Sequence, residues 1–252
     1  MAGFACRSRY KRRRTSFALA ASHFCTIIFA AVGTAAADPL KSCRSVTNGG
    51  NVFKILENQT YALCAVASCF VFNQVAYCRC DIKTGDSISA TFDYDDGKNV
   101  CTVNEEGAAN GSYVVSTYSF PDSVRVGGHQ AAYTCPGRTS DGAYAQCDGG
   151  ICATSTQGQS FPGFDKPLAK DQIICSCPIT ETQKGALVGY QISGPYPCQQ
   201  SFFANCQKKT ANKKTGSTIY VGAPSGTGRL LTRLLYGMSI SANRCFPTSS
   251  RP

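Results

Sequence analysis

The stretch Cys69–Cys80 reads CFVFNQVAYCRC, and its spacing decides the fold. Two β-branched and aromatic runs, Phe70–Phe72 and Val75–Tyr77, flank Asn73-Gln74. Asn suits a tight two-residue turn, and such runs prefer a pleated strand. Folded about that turn, Phe72 faces Val75, Val71 faces Ala76, Phe70 faces Tyr77 and Cys69 faces Cys78. Opposed residues of an antiparallel pair have Cα atoms roughly 4.5–5.5 Å apart, within disulfide reach. Cys78 and Cys80 stand two residues apart, so both sulfurs leave one face of the strand and enter one core.

The same pattern returns further along. QIICSCPI (Gln172–Ile179) repeats the CxC of VAYCRCDI (Val75–Ile82), and YAQCDGGIC (Tyr144–Cys152) repeats YALCAVASC (Tyr61–Cys69) as Y-A-x-C-x4-C. Each CxC is followed by twenty residues and another cysteine, Cys101 or Cys198, and each set has one cysteine upstream, Cys43 or Cys135. Two matched spacings, a shared prefix and one cysteine order indicate an internal duplication. The expected modules are residues 38–103 (Cys43, Cys64, Cys69, Cys78, Cys80, Cys101) and 131–198 (Cys135, Cys147, Cys152, Cys175, Cys177, Cys198). Residues 104–130 read as the linker, and 199–252 as a basic segment closed by Cys206–Cys245. The hairpin register predicts Cys69–Cys78 and Cys152–Cys175, with Cys64–Cys80 and Cys147–Cys177 following. Modules of about sixty residues have marginal cores, which staples reinforce.

The N-terminus tells how to read these thiols. Residues 1–16 carry six basic side chains and no acid, Phe17–Thr34 is mostly apolar, and Ala35-Ala36-Ala37 supplies small residues. That order is a secretory signal peptide, with cleavage expected before Asp38. Retention as a membrane anchor is the alternative, disfavoured by Ser22, His23 and Thr26 within the apolar run. Cleavage removes Cys6 and Cys25 and leaves fourteen cysteines, an even number. In an exported chain, secreted or held in a periplasm or envelope, that reads as seven disulfides. Six of the ten net positive charges also leave, and the remaining +4 is uneven. Residues 38–181 carry −5, whereas 182–252 carry nine basic residues and no acid. Such asymmetry points to a surface that meets an anionic polymer or membrane. Within it, Lys208, Lys209, Lys213 and Lys214 form the densest cluster.

Elsewhere SISATFDY, SYVVSTYSF, ALVGYQI and STIYVGA read as short strands, giving an all-β-dominated, disulfide-rich fold. One stretch, Arg229–Gly237, has helical leucine spacing and a glycine stop. GAPSGTGRLL before it resembles a phosphate loop but lacks the lysine and the hydroxyl, so no nucleotide is expected; its glycine amides could receive an anion.

His129 is the only histidine beyond the signal, which excludes multi-histidine metal sites and leaves one candidate for histidine catalysis. It sits in a Gly-rich stretch that reads as an exposed loop. The two modules differ between one cysteine pair: Cys152–Cys175 encloses twenty-two residues where Cys69–Cys78 encloses eight. In that grown hairpin tip Phe161, Phe164, Asp165 and Lys166 are candidate binding residues, the competing role being a cap over the second module's core. Asn58 and Asn110 are glycosylation acceptors in a eukaryotic source only. The expectation is an exported, non-enzymatic binding or envelope protein without cofactor or metal. A small hydrolase using His129 or acidic residues comes second, and a thiolate metal binder third.

Overall fold

The computed structural model describes residues 42–90, 94–120, 130–135, 142–182, 189–192, 198–207 and 209–248. Residues 1–37, expected as a signal peptide, and His129 lie outside them. The fold is dominated by strands. The first half contains β1 (Ser42–Asn48), β2 (Asn51–Leu63), β3 (Ser68–Phe72), β4 (Val75–Ala90), helix α1 (Val100–Asn110) and β5 (Tyr113–Val115). The second contains β6 (Gln130–Thr134), β7 (Ala143–Ala145), β8 (Ile151–Ala153), β9 (Gln172–Glu181), β10 (Gly189–Ile192), a 3-10 turn (Gln200–Cys206), the short α2 (Lys209–Asn212) and β11 (Thr218–Tyr220). The chain then runs through β12 (Ala223–Pro224), α3 (Thr227–Tyr236) and β13 (Ala242–Cys245).

The hairpin forms in the register its sequence implies: β3 and β4 pair Cys69 with Cys78, Phe70 with Tyr77, Val71 with Ala76 and Phe72 with Val75. Asn73 and Gln74 take φ of 47° and 65°, the left-handed pair of a two-residue turn that matches strand twist. The two CxC strands lie side by side. Strand β4 runs antiparallel to β9 from Val75 opposite Pro178 to Asp81 opposite Gln172, with Cys78 opposite Cys175 at the centre. A two-fold rotation about that central pair exchanges the strands, and the surrounding registers follow it. Ala62 faces Ile82 where β2 meets β4, as Ala145 faces Ile179 where β7 meets β9. Cys69 and Cys152 face Cys78 and Cys175 on the outer edges. Beyond them, β11 sets Ile219 opposite Cys69, and β5 sets Val114 opposite Cys152. Parallel bridges tie Ala62 to Ser116 and Ala145 to Val221.

A buried asparagine anchors each outer strand. Asn104 on α1 accepts from Val115 N at 3.0 Å and donates to Thr60 O at 3.0 Å. Asn205 accepts from Tyr220 N at 2.8 Å and donates to Tyr220 O at 3.1 Å. Buried backbone groups need such partners wherever the ladder stops.

The disulfides follow the same scheme. Cys64–Cys80, Cys69–Cys78, Cys147–Cys177 and Cys152–Cys175 stack across the central ladder, and their sulfurs form much of the main core with Val71, Ile173 and Ile219. Cys43–Cys101 ties β1 to α1, and Cys135–Cys206 ties the end of β6 to the 3-10 turn. The expected Cys206–Cys245 clip is therefore corrected: Cys245 pairs with Cys198. Cysteine order matched Cys101 to Cys198, but the helical position beside the anchoring asparagine belongs to Cys101 in the first half and Cys206 in the second.

The domain boundaries are corrected as well. Residues 104–130, expected as a linker, hold most of α1 and all of β5. Helix α1 escaped the strand reading, although Asn99 caps it and Gly111 ends it in the left-handed conformation. Segment 199–252 is built into both sheets rather than appended: β11 extends β3, while β12 and β13 flank a second sheet ordered β12-β10-β6-β13. Tyr133, Tyr190 and Phe202 pack beneath that sheet, the two tyrosine rings 5.4 Å apart. Helix α3 covers Phe53, Ile55 and Ile88 with Leu231, flanked by Leu230, Leu234 and Leu235. Among the described residues no helix is long and apolar enough to cross a membrane.

Candidate functional site

Where the halves meet, a cavity of about 90 Å³ opens. Its walls come from Leu63–Val66, Gln146–Asp148, Ser116–Tyr118 and Val221–Ala223. Gln191, Ile192, Thr227 and Leu231 complete it. Backbone bonds set these stretches in place: Ser116 N donates to Gly150 O and Val221 N to Ala67 O, while Thr117 N donates to Ala62 O and Gly222 N to Ala145 O.

The cavity is asymmetric in side chains. Ala65 of the first half corresponds to Asp148 of the second, and Thr117 corresponds to Gly222. Asp148 Oδ2 accepts from Ala90 N at 2.8 Å, and the Ser89 side chain hydrogen-bonds the carboxyl. Asp148 Oδ1 is buried without a partner, as is Thr117 Oγ1. Gly149 N donates to Ser116 O, so the two unpaired residues each adjoin the same backbone bond. Burial pushes the Asp148 carboxyl from 3.8 up to about 7, against the opposing effect of its Ser89 and Ala90 hydrogen bonds. Tyr94 donates from its hydroxyl to Gly149 O at 2.8 Å. Its phenol is pushed up to about 12 by burial and by the Asp148 charge.

Another part of the wall is fixed by glutamine. Gln191 Oε1 accepts from Gly226 N at 2.9 Å and Gly228 N at 3.2 Å, and its amide donates to Gln130 Oε1. The glycine amides at the start of α3, expected to be open to an anion, are thus occupied from within the chain.

The residues singled out from sequence go elsewhere. The inserted loop folds back, but over the first half rather than the second. Phe161 and Phe164 pack on Phe70 with centroids 6.4 and 5.7 Å away. Arg79 lies 4.5 Å over the Phe164 ring and donates to Lys166 O at 2.9 Å. Gly163 has φ +81°, and a Cβ there would meet Phe70 Cβ at 2.5 Å, so the loop hugs the hairpin closely. Asp165 and Lys166 remain exposed. Lys213 is half-buried and Lys214 exposed, while Lys209 opens α2 and Lys208 lies outside the described residues. Asp148 and Thr117 were not found from sequence. The available signal was the matched motif itself, which sets a carboxylate just inside the second cysteine pair where the first has alanine.

Sulfurs of Cys64, Cys80 and Cys175, and of Cys78, Cys147 and Cys177, gather within 4.8 Å in two groups related by the same rotation. All six are in disulfides, and a disulfide sulfur lacks the thiolate charge that binds zinc or copper(I). Compared with protein-family models, curated proteins and solved structures, the chain matches none.

Proposed function

We propose that this protein is an exported, non-enzymatic binding protein that descends from one duplicated unit and holds its ligand in the cavity between the two halves. The observation that carries the reading is the pair of buried, unpartnered oxygens, Asp148 Oδ1 and Thr117 Oγ1, on residues lining one cavity. An unsatisfied buried polar atom costs ~1–3 kcal/mol, and a ligand that pairs with it recovers that cost. Ligand sites also favour such junctions between structural units. Matched registers, paired asparagines and three equivalent disulfides per half support the duplication. Disulfide density supports export, with residues 1–37 acting as the signal peptide. The basic residues of 182–252 would serve approach to an anionic polymer or membrane surface. Arg229, Arg233, Arg244, Lys213 and Lys214 make no ion pair among the described residues.

The test is an NMR screen of the oxidised protein against small fragments. Binders should move the methyls of Leu63, Thr117, Ile192 and Leu231, and Ala65→Leu, which intrudes on the cavity, should abolish those shifts. Shifts confined to the outer surface would end this reading. One observation favours hydrolysis as a second reading. A carboxyl held near neutrality is suited to general acid–base work. Turnover of generic ester, peptide or glycoside substrates that disappears in Asp148→Asn would establish it; the binding reading predicts none, and no effect of His129→Ala.

A further inference from the structure

Asp148, one of the residues lining the cavity, has no counter-charge among the described residues. No Lys or Arg pairs with Asp148 among the described residues, and its hydrogen bonds come from neutral groups, the Ala90 amide and the Ser89 side chain. A buried carboxylate left this way is either protonated or neutralised by something bound. Leu63, Val66, Ile192, Val221 and Leu231 supply aliphatic side chains to the same wall. The cavity is several times the ~10–15 Å³ that one water requires. A calcium ion, which takes six to eight oxygen ligands, finds too few here.

We propose that the junction cavity binds a small organic ammonium ion, its head on Asp148 Oδ1 and Thr117 Oγ1 and its short carbon chain along Leu63, Val66, Ile192 and Leu231. The inference rests on the cavity being a ligand site and adds the class of ligand. An ammonium group supplies donors to both unpaired oxygens and the missing positive charge in one step. A neutral primary amide supplies the first only, and an alcohol has a single donor. Binding also ionises Asp148, so near pH 7 it releases a proton. Tyr94, which feels the Asp148 charge, and Tyr118, which lines the same cavity, are the other titratable groups of this site among the described residues. Tyr94 stays protonated throughout that range.

The experiment titrates the oxidised full chain with propylammonium, 1-propanol and propionate, followed by amide and methyl NMR at pH 8. Calorimetry near pH 7, in buffers of different ionisation enthalpy, counts released protons. Propylammonium should bind saturably, at least tenfold more tightly than propanol, with proton release. Asp148→Asn should weaken it tenfold or more, and Thr117→Val several-fold. Propanol binding equally well would refute the ammonium assignment while leaving the cavity a ligand site. No binding by any of the three would remove both. The comparison among ligands needs no variant, so it decides the matter even if Asp148→Asn folds poorly.

Discussion

Replacing Asp148 by asparagine should change how stability depends on pH, and the structure sets the size of the effect. Burial moves the carboxyl from 3.8 to about 7, and each pH unit of displacement corresponds to about 1.36 kcal/mol. The native state therefore disfavours the ionised group by on the order of 4 kcal/mol. Because the folded pKa is raised, the native chain keeps a proton that the unfolded chain has already released between these two values. The contribution is fully present below the unfolded pKa and lost as pH rises through the folded one. The asparagine has nothing to titrate, while its carbonyl oxygen can still accept from Ala90 N. Urea unfolding with disulfides intact, in half-unit steps from pH 4 to 8, gives the difference between parent and variant. That difference cancels Glu57 and Asp96, whose carboxyls are lowered by Ser42 with Arg44 and by Lys98 respectively and whose contributions are lost toward acid. It should slope by about 1.4 kcal/mol per pH unit from about 4 to 7 and level off above. A flat difference curve would refute the reasoning, since the carboxyl would then be solvated.

Asn104→Ala and Asn205→Ala should each cost about 2–3 kcal/mol by orphaning buried backbone groups, and unequal losses in unfolding experiments would argue against equivalent halves. Phe164→Ala should cost about 1–2 kcal/mol, since the ring is half-buried on Phe70 and carries Arg79. Replacing Ala153–Ile174 by the eight-residue FVFNQVAY should lower the melting temperature by uncovering Phe70. An unchanged melting temperature would return that loop to the role of a free binding surface. Exchanging Cys198 and Cys245 together for serine should remove ~2–4 kcal/mol and leave the other six pairings intact by peptide mapping.

Much of the central architecture was legible because strand geometry is local. The eight residues between Cys69 and Cys78 and the x of CxC are enough to specify the register and four disulfides. What lay beyond was set by long-range contacts. The exchange of β5 and β11 onto the opposite halves, and the choice of Cys206 over Cys198, depend on where the asparagine-bearing helical turns dock, and cysteine order carries no information on that. Helix α1 was missed because VCTVNEEGAAN has a weak apolar stripe, although its Asn99 cap and Gly111 stop were present. The loop phenylalanines were recognised as a possible cap, but their site on Phe70 could not be seen before β4 and β9 were known to adjoin. Asp148 was hidden because a single carboxylate in a loop looks solvated until the fold closes over it.

The most direct test of the junction as a binding site is a crystal structure of the oxidised protein soaked in propylammonium at pH 8. The account predicts density for the amine between Asp148 Oδ1 and Thr117 Oγ1, with its carbon chain toward Leu63 and Leu231. A cavity filled by the protein's own side chains, with Asp148 turned out to solvent, would contradict it.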